Sequence, residues 1–126
     1  MKKKNNFIIS RLKGGVYATR GAFLLLKTEP SVQVQAIIAI CMIFAGCYFN
    51  ISKEEWIMQT LAIGLVLSLE GANTAIEEIA DFIHPDFHHK IGLIKDFAAG
   101  AVFFAALVAV IIGILIYYPY IVNINL

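Results

Sequence analysis

Hydrophobic residues fall into three long uncharged runs separated by short polar connections. The first is "VQVQAIIAICMIFAGCYF", Val32 to Phe49. The second, "WIMQTLAIGLVLSL", runs from Trp56 to Leu69 and leads directly into Glu70. The third is "FAAGAVFFAALVAVIIGILIYY", Phe97 to Tyr118, with no charge after it. A helix that crosses a membrane needs roughly 20 apolar residues. The third run reaches that length alone, the first falls inside the usual range, and the second reaches it by continuing past Glu70. The pattern predicts three transmembrane helices, over about 32–49, 56–80 and 97–118. Upstream, Leu12, Val16, Thr19, Phe23 and Leu26 share one helical face, and Lys13, Arg20 and Lys27 recur every seven residues along its flank. This predicts an amphipathic helix over about 7–28 lying in the membrane surface, weakened by Gly14, Gly15 and Gly21. Glu29-Pro30 ends it, because the residue before a proline avoids the helical region.

Composition agrees. Of the 126 residues, 60% are hydrophobic and 15% charged, against about 25% charged in soluble domains. A water-soluble domain is the poorer reading, and nothing basic enough for nucleic acid stands out. Seven of the ten Lys and Arg residues precede the first span. The positive-inside rule then places the N-terminus in the cytoplasm and the C-terminus outside. Cys41 and Cys47 point apart on one helix and read as small apolar residues.

The second run holds the candidate chemistry. On a helical wheel Glu70, Asn73, Thr74, Glu77 and Asp81 fall within roughly 100° of arc. Trp56 suits the outer interface, and Glu70 lies about 21 Å further in at 1.5 Å per residue. Glu70 is then inside the hydrocarbon and Glu77 near the inner boundary. An acid in hydrocarbon costs about 2.5–3.5 kcal/mol, so it marks function by default. Glu29, Glu77, Asp81, Asp86 and Asp96 supply hard oxygen ligands on the cytoplasmic side, and Lys95 a cation for phosphate. Mg²⁺ is commonly held by one or two carboxylates plus substrate phosphates. A base at lipid depth and carboxylates at the water boundary suit phosphoryl transfer from a nucleotide to a membrane alcohol. None of the nine glycines forms a P-loop or a kinase Gly-rich pattern. His84, His88 and His89 lack a cysteine partner, so zinc is not expected. A proton- or cation-coupled transporter would also use Glu70, but would not need the cytoplasmic carboxylates or Lys95-Asp96. A structural membrane subunit leaves the polar face unexplained.

The stretch "EGANTAIE", Glu70 to Glu77, with "KDFAAGAV" at Lys95 to Val102, "VYATRG" at Val16 to Gly21, and Glu29, resembles the small bacterial integral-membrane diacylglycerol kinase family, which includes undecaprenol kinases. The likeness extends over nearly the whole chain. It implies one lipid kinase domain over 1–126 in a homotrimer of three-span subunits, in the bacterial inner membrane, with active sites shared between neighbours. It implies transfer of the γ-phosphate of ATP, with Mg²⁺, to a lipid hydroxyl. Glu70 would be the catalytic base and Asn73 would position the reacting groups. Glu29 and Glu77 would hold Mg²⁺ and its nucleotide, and Tyr17, Asp86, Phe87, His88, Lys95 and Asp96 would meet ATP. Diacylglycerol, converted to phosphatidic acid, is the leading expectation for the acceptor. Undecaprenol is the alternative, toward which "KDFAAGAV" leans. Two departures bear on the headgroup contacts: Ser10 stands where diacylglycerol kinases carry an arginine, with Arg11 one residue off, and "PSVQVQ" follows Glu29 where the family has an acid or a histidine.

Overall fold

A computed structural model describes residues 2–124, with side chains from residue 6 onward. The chain is all-α, built from four helices: α1 Lys2–Thr28, α2 Pro30–Phe49, α3 Lys53–Ile83 and α4 His89–Ile124. Among the described residues, α2 and α4 are long and apolar enough to cross a membrane. The run 56–80 lies inside α3, but its second half carries the acids, which keeps α3 out of that apolar class.

Each helix boundary has a local cause. Glu29 adopts an extended conformation (φ −100°, ψ 112°), and Pro30 opens α2 where a missing N–H costs nothing. The α2–α3 turn uses Asn50 in the left-handed region (φ 52°), which asparagine tolerates. Ser52 then caps α3 through a reciprocal pair: Glu55 N–H donates to Ser52 Oγ at 3.2 Å, and Ser52 N–H donates to Glu55 Oε1 at 3.0 Å. The turn is tight because Gly46 has no Cβ, which would sit 2.6 Å from Trp56 Cη2. Helix α1 runs unbroken despite the glycines that weaken it. It is continuous through Gly14, Gly15 and Gly21, each of which costs about 1 kcal/mol relative to alanine without stopping the helix.

Packing is densest at the end of the molecule where α2 and α3 join. Ile51, Ile116 and Tyr117 are buried there against Met42, Phe49, Trp56, Ile112 and Tyr120. Buried polar groups tie the three helices together: Gln59 Nε2 donates to Met42 O at 3.1 Å, and the Tyr117 hydroxyl is within hydrogen-bond reach of Met42 O, at 3.0 Å, and of Gln59 Oε1. Tyr120 OH donates to Glu55 Oε1 at 2.6 Å. Below this lock lies an apolar cavity of about 280 Å³ between α2, α3 and α4, lined by residues including Ala39, Val66, Ala109 and Gly113. Helix α4 packs mainly on α3. Its outward residues are aromatic and aliphatic, with Phe103 65% and Phe104 70% exposed. An apolar surface this extensive fits contact with lipid or another membrane helix far better than contact with water.

Candidate functional site

Continuous helix through Asp81 puts Glu70, Asn73, Glu77 and Asp81 on the single face that their spacing predicts. Glu70 is buried, only 7% exposed. One turn on, the Thr74 hydroxyl donates to the Glu70 carbonyl at 3.1 Å, a contact that spares the Glu70 carboxylate. The Asn73 amide nitrogen reaches Glu77 Oε1 at 3.4 Å, a long contact between two proposed site residues on successive turns. The Asn73 amide oxygen is buried with no hydrogen-bond partner among the described residues. A buried acceptor left unpaired costs about 1–3 kcal/mol, which a bound donor would recover.

Helix α1 reaches α3 beside this face at its end. A Cβ on Gly71 would lie 3.0 Å from Leu25 Cδ1, so glycine at 71 permits the approach. Four residues later Glu29 stands as the N-cap of α2 with no capping hydrogen bond from its side chain. Its carboxylate is therefore not spent on holding the helix. No cluster of three or more metal-ligating side chains forms among the described residues.

Across from α3, Lys95 Nζ lies 2.6 Å from Asp81 Oδ1. By spacing alone Asp81 is one of the cytoplasmic carboxylates and Lys95 a cation for phosphate. The structure joins the two as an ion pair at the C-terminal end of the α3 polar face. Asp96, next to Lys95, is exposed.

The α3–α4 turn carries Asp86, Phe87 and His88. His84 Nδ1 donates to the Asp86 carbonyl at 2.7 Å. His88 Nδ1 accepts from Lys90 N–H at 3.0 Å. Phe87 is 92% exposed. Tyr17 is also exposed and lines a shallow groove on α1 with Asn6, Ile9, Ser10, Lys13 and Gly14. Lys13, which the sequence reading used only as part of a basic flank, is the cation that shares this groove. Its spacing of four residues from Tyr17 was the available signal. Arg11 is not among the groove residues; its guanidinium lies over the Phe7 ring, 5.3 Å from the centroid. Within one chain the structure thus brings together Asn73 with Glu77, and Lys95 with Asp81. It leaves Tyr17, Asp86, Phe87 and Asp96 at the surface.

The family model for prokaryotic diacylglycerol kinase matches residues 16–117. The chain is 39% identical over 107 residues to an undecaprenol kinase of Bacillus subtilis, covering 85% of this chain and 87% of that protein. It is 32% identical over 98 residues to a diacylglycerol kinase of Synechocystis, covering 77% of this chain and 56% of the relative. It is 25% identical over 100 residues to the diacylglycerol kinase of Escherichia coli K12, covering 79% and 82%.

Proposed function

From the premise that this chain belongs to the prokaryotic diacylglycerol kinase family and is a phosphotransferase, we propose that it transfers the γ-phosphate of Mg-ATP to undecaprenol. The observation that carries this choice is the 39% identity over 85% of the chain to an undecaprenol kinase, against 32% and 25% to diacylglycerol kinases. It reverses the order expected from sequence, where diacylglycerol came first. Diacylglycerol is the second reading, because the family and most of the named relatives carry that activity in their names.

In this reading α2, α3 and α4 all cross the inner membrane and α1 lies on its cytoplasmic surface. The N-terminus is cytoplasmic and the C-terminus outside. Residues 1–126 form one kinase domain, and three copies assemble so that Tyr17 and the α3–α4 turn meet nucleotide between neighbours. The exposure of Tyr17, Asp86 and Phe87 on the single chain supports that arrangement.

Glu70 takes the proton from the lipid hydroxyl. Its burial on α3 supports this role, since a base there would meet the alcohol of a membrane lipid away from water. Asn73 holds the reacting groups, with its unpaired amide oxygen as the acceptor still to be filled. Glu29 and Glu77 fit Mg²⁺: one carboxylate is free of capping duty, and the other has a single long contact. Two carboxylates and no closed cage suit an ion that keeps water and phosphate oxygens in its shell. When bound, Mg²⁺ would neutralise phosphate charge. Lys95, oriented by Asp81, with Asp96 and the residues Asp86 to His88, completes the nucleotide side.

The test is Mg²⁺-dependent phosphate transfer from ATP by purified protein, measured side by side with undecaprenol and diacylglycerol. The proposal expects the higher kcat/KM with undecaprenol. A preference for diacylglycerol would overturn the choice, and transfer to neither would overturn the kinase assignment.

A further inference from the structure

Helices α3 and α4 run antiparallel in a fixed register. Gln59 meets Tyr117 near one end, and Asp81 meets Lys95 near the other. The same number of residues separates the two contacts on either helix. Glu70 lies midway between Gln59 and Asp81, and Ala106 lies midway between Lys95 and Tyr117, so the two stand at one level. Ala106 lines the apolar cavity between α2, α3 and α4, as does Leu67, one turn before Glu70. The cavity therefore runs from the lock, at Gln59 and Ile116, to the level of the proposed base. From Ile116 to Ala106 that is about 15 Å along α4.

The walls are apolar, with amide side chains only at the two ends. Gln59, at the lock, is already tied to Met42 and Tyr117; Gln35 stands at the end nearer Glu70. Small residues make the space, among them Ala39, Ala62, Ala109 and Gly113. A Cβ on Gly113 would meet nothing within 4 Å. The cavity also opens to the side. Ile38 on α2 and Val110 on α4 belong to its wall, yet they are 48% and 58% exposed. These two helices meet chiefly at the lock, and both are long and apolar enough to cross a membrane. In a bilayer that opening faces lipid tails.

Size limits what can enter. An apolar protein cavity of about 150 Å³ stays dry and binds benzene, with its six carbons. On that scale the volume of about 280 Å³ here holds roughly eleven carbons, about two isoprene units of a single chain. The chemistry next to the hydroxyl then matters. A prenol is hydrocarbon from its first carbon onward. A diacylglycerol carries two esters beside its hydroxyl, and ester oxygens buried among apolar walls without donors are penalised.

We propose that this cavity holds the hydroxyl-proximal end of one prenyl chain, with the hydroxyl at Glu70, and so selects a prenol over a two-chain glycerolipid. The assignment rests on the kinase reading for the role of Glu70. Ala109 and Gly113 are then residues that set specificity, because their small side chains keep the slot open.

The experiment compares the wild type with Gly113→Leu, which fills the deep end, and Ala109→Val, a milder change on the same wall. Farnesol, a short prenol, is added without ATP, and thermal unfolding is followed in detergent. It should raise the unfolding temperature of the wild type, and that shift should be lost in Gly113→Leu and reduced in Ala109→Val. Without ligand both variants should unfold at or above the wild-type temperature, because the added carbons enter empty space. Phosphorylation is then measured with undecaprenol and diacylglycerol. The ratio of the two kcat/KM values, undecaprenol over diacylglycerol, should fall by roughly 10-fold or more in Gly113→Leu, the scale of one misfit methylene in an apolar pocket. If Gly113→Leu does not fold, Ala109→Val carries the comparison. No farnesol shift in the wild type, a shift that neither variant changes, or an unchanged ratio overturns the proposal. Loss of stability in both variants also overturns it, and assigns the space to side chains of a second copy. If the farnesol shift depends on residue 113 and the wild type phosphorylates no lipid, the kinase reading fails and the chain slot stands. If undecaprenol is phosphorylated and farnesol does not bind, the slot fails and the kinase reading stands.

Discussion

Lys95 Nζ stands 2.6 Å from Asp81 Oδ1, joining the end of α3 to the start of α4 across the turn between them. The two side chains are 35% and 57% exposed, so solvent screens the pair and its share of stability is about 0–1 kcal/mol. Its consequence is positional: the ammonium is held beside the polar face of α3.

That position can be separated from stability. Lys95→Met should raise the KM for Mg-ATP by roughly 10-fold or more, the scale of one charge-assisted hydrogen bond. Asp81→Asn should change unfolding by less than about 1 kcal/mol and move that KM by less than about threefold. Steady-state kinetics with ATP varied, beside thermal unfolding in the same detergent, checks both. An unchanged KM in Lys95→Met would leave the residue with a structural role only.

The opposite end of the bundle should behave in the reverse way. Tyr117 contacts both Met42 O and the Gln59 side chain within a buried cluster. Tyr117→Phe leaves the Gln59 carbonyl without that partner, at a cost of about 1–3 kcal/mol. Thermal unfolding should fall accordingly. Once assayed well below that transition, kcat and KM should stay within about twofold of wild type. A large loss of kcat with no change in unfolding would mean that this lock communicates with the α3 acids.

Acid should weaken the α2–α3 turn. The Tyr120 hydroxyl, and then the Ser52 backbone N–H, hold the Glu55 carboxyl below the ordinary glutamate value of 4.5. A carboxyl whose folded value is depressed adds stability above its unfolded value and loses it as pH falls through the folded one. Wild type should therefore be more stable than Glu55→Gln at pH 7, and the gap should close as pH falls below about 4.5. Thermal unfolding of both proteins between pH 7 and pH 3.5 measures this. An equal gap at every pH would remove the carboxylate from the account.

The part of this architecture that was legible in sequence is the part with a period. Glu70, Asn73, Glu77 and Asp81 lie on one face because 3.6 residues make a turn, and no tertiary fact is needed to see it. Glu29-Pro30 is legible as a break from local backbone preference alone. What sequence missed depends on the chain returning on itself. Asp81 and Lys95 lie equally far from residue 88, and a short turn there brings them opposite each other, but spacing alone does not say which pairs will close. Gln59 and Tyr117 meet only because α3 and α4 pack together. The glycines in α1 weaken the helix without ending it: their cost is a helix penalty of about 1 kcal/mol each, and nothing in the sequence offers a competing turn.

The claim on which the rest depends is that the buried acid of α3 is the base for phosphoryl transfer. Glu70→Gln keeps size and shape and removes the base, so its effect reads chemistry rather than packing. The measurement is kcat for lipid phosphorylation together with Mg-ATP affinity in the same preparation. The account predicts a fall in kcat of at least 10²-fold, the lower end of what general base catalysis contributes, with nucleotide affinity within about threefold of wild type. Turnover at the wild-type rate in Glu70→Gln would contradict it.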